Sequence, residues 1–260
     1  KTITDEMWEL LMRDFITCLE FLTRIRFTKR DIWTKEDFSR SVPYFPLVGL
    51  IIGAFLALVN IVLVQTNVSD FLRATLLILA VIIITGGLMY DGFMDTADGV
   101  FSARDRERML EIMKDSCVGS NAVLAVIILI MLKISVYLET PSEALSYVVI
   151  AMSVATRTFM VLFIVNFPYA RKEGIGNLFK MYAKPYYTYI AFLLGMLFIY
   201  LVAGFTALYV TGLCLLILLI IANYFVKLLG GLTGDTYGAL TEIGNVIFLL
   251  LAIFMRLGGY

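Results

Sequence analysis

The sequence predicts an all-α, polytopic integral membrane protein with about seven transmembrane helices and an N-terminal interfacial amphipathic helix. Of its 260 residues, 60% are apolar and only 16% are charged, whereas a soluble domain is about 45–50% apolar and about 25% charged. The mean hydropathy is strongly positive, and apolar segments of membrane-spanning length follow one another along most of the chain. We expect a single membrane domain over residues 1–260, with a cytoplasmic or interfacial segment at 1–42 and transmembrane helices at 43–260.

Composition also excludes several kinds of site. The chain has no histidine, so any acid–base chemistry must use carboxylates, lysine, tyrosine or a group of the ligand. Its cysteines, Cys18, Cys117 and Cys214, form no CxxC pair, which excludes a disulfide framework and a zinc-finger spacing. The net charge is zero, so no nucleic-acid partner is expected.

Residues 4–25 predict a helix with one apolar stripe. The stripe consists of Trp8, Leu11, Phe15, Leu19 and Leu22, which recur every three or four residues. Charged residues interrupt the segment, so it lacks the uncharged core of a signal peptide. We expect a helix lying on the membrane surface; packing against the core of the protein itself is the alternative.

Seven segments approach the length of about 20 apolar residues that a bilayer core requires. They are 44–64, 72–90, 118–138, 145–165, two within the uncharged stretch 185–226, and 243–254. The break between the fifth and sixth spans is expected within 203–211, because glycine and threonine cluster there.

Basic residues gather in alternate loops of this topology. They are Lys1, Arg13, Arg24, Arg26, Lys29, Arg30, Lys35 and Arg40 before the first span, Arg104, Arg106, Arg108 and Lys114 after the second, and Arg171, Lys172, Lys180 and Lys184 after the fourth. The positive-inside rule makes this side cytoplasmic, which predicts a protein of the cytoplasmic (inner) membrane with its N-terminus inside. Three polar or glycine-rich segments, 91–119, 170–179 and 230–242, fall on the same side, so we expect the functional site there.

Three aspartates at the end of the second span form the strongest motif. Asp91, Asp95 and Asp98 occupy positions i, i+4 and i+7, which lie within about 60° of one another on a helix. Such crowding of carboxylates is unfavourable near a membrane unless a cation offsets it, and oxygen ligands suit Mg²⁺; two ions are an option. The alternative is a solvated acidic turn paired with Arg104, Arg106 or Arg108.

The residues after this cluster predict a helix on the membrane surface. Asp115, which precedes a glycine and the next span, is the residue there that we expect to join the site. Arg104 is a candidate phosphate ligand.

The other two polar segments add cations, glycines and acids. Arg171 and Lys172 precede two glycines, and glycine lets backbone amides approach an anion closely. Ordinary positive-inside residues in a loop are the alternative. The third segment interrupts an apolar run with four glycines, Asp235 and Glu242; polar chain at membrane depth must face protein or a cavity. Glycine-mediated helix packing, with Asp235 paired to Lys227 or Arg157, is the alternative.

These three segments, in this order, resemble the cobalamin synthase family. The stretches Phe21-Leu-Thr-Arg24-Ile and Tyr44-Phe-Pro46-Leu-Val-Gly49 also look like that family, so the resemblance covers nearly the whole chain. Two positions depart from it. Met89 stands where family members often have histidine, and Arg26 stands where a proline is expected.

The resemblance implies that adenosylcobinamide-GDP is joined to α-ribazole, or to its 5′-phosphate, with release of GMP and with Mg²⁺ as cofactor. The residues fit this chemistry, and our hypothesis is that Asp91, Asp95 and Asp98 hold Mg²⁺ against the pyrophosphate and that Asp98 or Asp115 accepts the hydroxyl proton. In the same hypothesis, Arg104, Arg171 and Lys172 hold phosphate oxygens, and Asp235 and Glu242 complete the metal shell or bind ribazole.

Two other functions remain as alternatives. CDP-alcohol phosphotransferases also use clustered aspartates at a membrane face, in a pattern like DxxDGxxAR. Here Arg104 lies one residue further along the chain than that pattern requires, and the downstream aspartate spacing of those enzymes is absent. A transporter would explain Lys133 and Arg157 within spans, but the acids lie at one face and no inverted repeat is evident. The sequence leaves the oligomeric state open, a homo-oligomer included.

Overall fold

The described chain is built almost entirely from helices. The computed structural model describes residues 3–27, 34–172 and 174–257, which contain eleven α-helices and a 3₁₀ turn at Val42–Tyr44. The helices are α1 (Ile3–Leu22), α2 (Lys35–Ser41), α3 (Phe45–Gln65), α4 (Asp70–Thr85), α5 (Leu88–Phe101), α6 (Arg106–Ile112), α7 (Ser120–Glu139), α8 (Ser142–Asn166), α9 (Ile175–Met181), α10 (Tyr186–Leu229) and α11 (Gly234–Phe254). Lys1, Lys29 and Arg30, part of the topology prediction, lie outside the described residues.

Membrane-spanning helices account for most of this architecture, as the sequence predicts. Five helical segments of the described chain are long and apolar enough to cross a bilayer, and α4 with α5 makes a sixth if this bent pair counts as one span. The central helix is α8, whose apolar stretch is 83% buried within the protein.

The 44-residue helix α10 supplies the remaining predicted span, because it folds back on itself. Gly204 has non-helical dihedral angles (φ 73°, ψ −168°) within α10. Near one end of α10, Asn166 donates to the Thr188 hydroxyl across 2.9 Å; just past the other end, Leu232 bridges to Tyr169. Both ends of α10 therefore lie where α8 ends, which a straight helix of about 66 Å could not achieve. The break falls within the predicted stretch 203–211.

The second predicted span is not straight. Its helices α4 and α5 meet at an angle of 96°, at Gly86 and Gly87, which both have left-handed backbone conformations (φ 67° and 74°). Residues with a Cβ rarely adopt this conformation, so two consecutive glycines end α4 and redirect the chain. The bend separates the apolar part of the span from the aspartate-bearing helix α5.

Helix α1 combines the two arrangements considered for the N-terminal segment. Its C-terminal half packs on the core, with Leu19 and Leu22 buried. Towards its N-terminus, Trp8 and Met12 are exposed, and an aromatic ring beside an exposed apolar face suits a membrane interface.

Helices α3 and α8 approach closely through two glycines spaced four residues apart. A Cβ at Gly49 would lie 2.5 Å from the carbonyl oxygen of Ser153, and one at Gly53 would lie 2.6 Å from the Cα of Ile150. Small residues at this spacing let membrane helices pack backbone to backbone. Helices α3 and α8 are thus packed backbone to backbone. We call the end of the bundle that carries α2, α6 and α9 the polar end.

We expect Gly49→Ala to destabilise the protein by about 1–3 kcal/mol, the usual penalty for overpacking a core. The obstructing atoms belong to the backbone of α8 and cannot rotate away. Reversible unfolding in mixed detergent micelles measures the effect. Gly212→Ala is the matched control, because nothing lies within 4 Å of a Cβ at that position. Equal stability of the two variants would contradict the close α3–α8 contact.

Candidate active site

The three predicted aspartates share one face of α5. Asp91 is exposed, Asp95 is half-buried and Asp98 is 8% exposed. All three line one cavity of about 290 Å³, which also contains Asp115; we call it the Asp98 cavity. The structure therefore places the three aspartates and Asp115 around one cavity.

Asp98 also holds the start of α7. Its Oδ2 accepts a hydrogen bond from the backbone N–H of Gly119 across 2.6 Å, and its Oδ1 accepts one from Ala122 across 2.8 Å. The first N–H groups of a helix have no partner within the helix, and a carboxylate there interacts favourably with the helix dipole. A Cβ at Gly119 would lie 2.5 Å from Oδ1 of Asp98, so glycine is what allows this approach.

Asp235 adds a fourth carboxylate from the start of α11. The Thr233 side chain accepts from the backbone N–H of Thr236 and fixes the first turn of this helix. Helix α5 approaches so closely that a Cβ at Gly92 would lie 2.8 Å from the Asp235 carbonyl oxygen. The carboxylates of Asp95 and Asp235 are near enough to repel each other, and Asp91 repels both.

Arg171 reaches this acidic cluster through a short bridge between two loops. The backbone N–H of Ala170 donates to the carbonyl oxygen of Leu232 across 2.8 Å. The backbone N–H of Leu232 donates to the carbonyl oxygen of Pro168 across 2.8 Å. Nη2 of Arg171 consequently lies 2.8 Å from Oδ2 of Asp235. Asp235 is thus paired with Arg171 and not with Lys227 or Arg157. The pairing brings two of the three polar segments into contact.

A cavity of about 220 Å³ opens beside this ion pair, and we call it the Arg171 cavity. Its polar lining includes Asp91, Asp235 and Arg171, and aromatic and aliphatic side chains form the rest. Nε of Arg171 and the hydroxyl of Tyr237 are buried and have no hydrogen-bond partner among the described residues. Unpaired buried polar atoms cost free energy, so this cavity offers donors to a polar ligand.

Two tyrosines of this cavity were not singled out from the sequence. The rings of Tyr169 and Tyr237 lie 6.4 Å apart at 35°, and burial raises the pKa of the Tyr169 hydroxyl. Gly176 leaves room for Tyr169, because a Cβ there would lie 2.7 Å from its ring. The glycines of segment 170–179 therefore accommodate an aromatic ring, a role that their spacing alone does not reveal.

A third cavity, of about 560 Å³, reaches Asp91 from another direction. Arg24 and Arg26 line it together with Gly86, Gly87 and the α5 residues that follow them; we call it the Arg24 cavity. Asp91 lines all three cavities. The three cavities of the polar end therefore meet at this exposed aspartate.

Two of the predicted phosphate ligands lie outside the three cavities. Arg104 is exposed and lines none of the three cavities. Lys172 is exposed at the rim, in a shallow depression with Arg171 and Lys114. These positions leave Arg171 as the one cation of its segment that enters the Arg171 cavity.

Glu242, the remaining predicted site residue, lies apart from the three cavities. Glu242 is 1% exposed, lines none of the three cavities, and forms an ion pair with Lys133. Nζ of Lys133 also donates to the hydroxyl of Tyr90 across 2.8 Å. A buried carboxylate in an apolar bundle requires such a partner, and the cation in the third span provides it. Through Lys133, the side chains of Glu242 and Tyr90 therefore link helix α11 to helices α7 and α5.

The cluster is compatible with Mg²⁺, but the protein alone does not complete a metal shell. Within the described ranges, no three histidine, cysteine, aspartate or glutamate side chains converge on one point as metal ligands. Mg²⁺ usually uses one or two carboxylates and takes its other ligands from water and substrate phosphates. Asp91 and Asp95 repel each other and accept no hydrogen bond from another described residue, so both have oxygens open to a cation.

Known proteins resemble this chain over nearly all of its length. The family model described as cobalamin-5-phosphate synthase matches residues 14–253. A Clostridium novyi (strain NT) protein named adenosylcobinamide-GDP ribazoletransferase is 37% identical over 247 residues, which cover 94% of this chain and 98% of that protein. Proteins of the same name are 38% identical in Desulfitobacterium hafniense (strain Y51), covering 92% of this chain and 96% of the relative, and 37% identical in Escherichia coli (strain K12), covering 91% and 97%. No solved structure matches the chain.

Proposed function

The chain belongs to the cobalamin-5-phosphate synthase family, and from this we propose that it joins adenosylcobinamide-GDP to α-ribazole, or to α-ribazole 5′-phosphate, with release of GMP. The observation that supports this proposal most strongly is the extent of the similarity. Relatives named adenosylcobinamide-GDP ribazoletransferase match 91–94% of the chain. The similarity therefore extends over nearly the whole helical bundle, including the segment that carries the aspartate cluster.

The proposed reaction is a phosphoryl transfer at the junction of the three cavities. A ribose hydroxyl of the acceptor attacks the phosphorus that bears the cobinamide arm, the bond from that phosphorus to GMP breaks, and GMP leaves. Such a transfer depends mainly on positioning and on neutralising charge. Arg171, with a free Nε beside Asp91 and Asp235, is placed to hold an oxygen of the pyrophosphate.

We propose that Asp91 and Asp95 hold Mg²⁺ and that Asp98 lies at the edge of its shell. When bound, Mg²⁺ would neutralise charge on the pyrophosphate. Asp98 keeps the cluster in place, because both of its oxygens already hold the start of α7. Asp235 stays paired with Arg171 and orients it.

Asp115 is the better placed of the two predicted proton acceptors. It lines the cavity that contains Asp91, Asp95 and Asp98, whereas proton transfer to Asp98 would disturb the start of α7. The backbone N–H of Cys117 donates to Asp115 across 3.0 Å and lowers the pKa of that carboxylate below its ordinary value. Asp115 is therefore a weak base, which suffices for a transition state that needs little proton transfer.

The charge pattern supports an orientation for the proposed enzyme. The three cavities and the helices α2, α6 and α9 lie at the polar end, which also carries most of the basic residues. The positive-inside rule places that end in the cytoplasm. We propose a protein of the cytoplasmic membrane that takes both water-soluble substrates from the cytoplasm.

Complementation tests the proposed function in cells. The gene is expressed in a bacterium that lacks its own ribazoletransferase gene and needs a cobamide for growth. With cobinamide supplied, growth should be restored by the wild-type chain. Failure of a chain that is present in the membrane, in a strain that a known relative rescues, would contradict the proposal.

Removal of Mg²⁺ should lower the transfer rate of the purified protein by at least about 100-fold, because a metal ion contributes several kcal/mol of charge stabilisation. The measurement is GMP release after dialysis against EDTA, followed by readdition of Mg²⁺. Restored activity is the expected result. Full activity in the presence of excess EDTA would contradict the metal assignment.

A further inference from the structure

The Arg24 cavity contains two cations that the proposed roles do not use. Arg24 and Arg26 line it beside Tyr90, Asp91 and Met94. Both are exposed, and neither forms an ion pair with another residue in the described part of the chain. The cavity also contains Glu20, which is buried and accepts a hydrogen bond from the backbone N–H of Phe27 across 2.7 Å.

The backbone of the α4–α5 bend positions Arg24. A Cβ at Gly86 would lie 1.9 Å from Nε of Arg24 and 2.7 Å from its Cζ, so the guanidinium group lies directly on this glycine. The backbone N–H of Arg24 donates to the carbonyl oxygen of Ile84 across 2.7 Å. A side chain held in this way loses little conformational entropy when it binds an anion.

The Arg24 and Arg171 cavities reach Asp91 from opposite flanks of α5. Successive residues of an α-helix are separated by about 100° around its axis. Relative to Asp91, the residues Met89 and Gly92 of the Arg171 cavity lie on one side, and Tyr90 and Met94 of the Arg24 cavity lie on the other. The attacking and leaving oxygens of a phosphoryl transfer are roughly in line on opposite sides of phosphorus. If the donor lies against Arg171, the Arg24 cavity gives its acceptor a separate approach to Asp91.

We propose that Arg24 and Arg26 form a subsite for a phosphomonoester on the acceptor. This inference rests on the proposed function and names the residues that bind the phosphate of the acceptor. A phosphate on the acceptor ribose lies a few bonds from the attacking hydroxyl, so its site must adjoin the reaction centre without overlapping it. The Arg24 cavity meets this condition because it ends at Asp91. Arginine binds phosphate through paired N–H donors. Arg24 and Arg26 thus bind the phosphate of α-ribazole 5′-phosphate, the acceptor that gives a cobalamin 5′-phosphate.

The test compares the two acceptors in one variant. Arg24→Gln should lower kcat/KM for α-ribazole 5′-phosphate by about 10- to 100-fold, the range for loss of a hydrogen bond to a charged group. Its kcat/KM for α-ribazole and its KM for adenosylcobinamide-GDP should stay within about twofold of wild type. Arg108→Gln is the control, because Arg108 is exposed, pairs with Glu111 and lines none of the three cavities.

A second pair of variants moves Arg24 without removing its charge. Gly86→Ala and Gly87→Ala introduce similar backbone strain, since both glycines have positive φ. Only the Cβ at position 86 displaces Arg24; at position 87 the nearest atom is 4.0 Å away. Gly86→Ala should therefore lose the preference for the phosphorylated acceptor, whereas Gly87→Ala should keep it.

Several outcomes would overturn the proposal. Equal losses for both acceptors would show a structural role for Arg24, and a raised KM for the donor would assign the cavity to the donor. An Arg24→Gln effect that appears in phosphatidylglycerol vesicles and not in neutral detergent would assign the arginines to lipid phosphate. Calorimetric titration of α-ribazole 5′-phosphate needs no turnover. Wild-type and Arg24→Gln proteins that bind it equally would contradict the subsite, even if the proposed transfer failed.

Discussion

Asp95→Asn should lower the transfer rate by about 10³-fold or more while the protein stays folded in the membrane. The carboxylates of Asp91, Asp95 and Asp235 are near enough to repel one another. Asparagine preserves the shape of the side chain but removes the charge that would hold a cation against the pyrophosphate. Loss of one preorganised electrostatic group at a reacting centre typically costs about 10²–10³-fold, and loss of the metal would add to this. The measurement is GMP release by purified protein at saturating substrates.

Asp105→Asn is the matched control for this variant. Asp105 is exposed at the start of α6, where its side chain accepts from the backbone N–H of Arg108 across 3.0 Å. Asparagine serves equally well at that position of a helix, so activity should stay close to wild type. Asp95→Asn protein that elutes as a single folded species and retains more than a tenth of wild-type activity would remove Asp95 from the centre of the site.

Lys133→Met should destabilise the protein by about 3–5 kcal/mol, the usual result of removing one partner from a buried ion pair. Glu242 would then be left in the interior with its charge unmatched by Lys133, and Tyr90 would lose the hydrogen bond that ties α5 to α7. We expect a lower thermal unfolding temperature and a lower yield of monodisperse protein in detergent.

The double variant Lys133→Met/Glu242→Gln separates a structural role from a catalytic one. It removes one charge of each sign, so it should recover much of the stability lost in Lys133→Met. Since Glu242 lines none of the three cavities, the folded double variant should retain transfer activity within about tenfold of wild type. A stable double variant without activity would return Glu242 to the site.

The spans and the aspartate face could be predicted because they depend on local patterns. Hydropathy locates apolar helices, and helical periodicity places Asp91, Asp95 and Asp98 on one face. The break in α10 was also predictable, because Gly204 interrupts an uncharged stretch too long for one span. The 96° bend before α5 was not: two adjacent glycines permit a left-handed turn, but packing decides whether the chain adopts it.

The partners of charged side chains could not be predicted, because they join residues far apart in the sequence. Asp98 binds the start of α7, Asp235 pairs with Arg171, and Glu242 pairs with Lys133 across 109 positions. The lysine within the third span did signal a buried carboxylate, since a charge in an apolar span requires a partner. Several acids were available, and only the packing of α7 against α11 selects Glu242.

The most direct test of the account is a reaction of the purified wild-type protein with adenosylcobinamide-GDP and α-ribazole 5′-phosphate in Mg²⁺. GMP and the cobamide product are measured together by chromatography. One GMP should be released for each cobamide formed, and neither should appear without the acceptor. A folded preparation that forms no cobamide with this acceptor or with α-ribazole, or that releases GMP without forming cobamide, would contradict it.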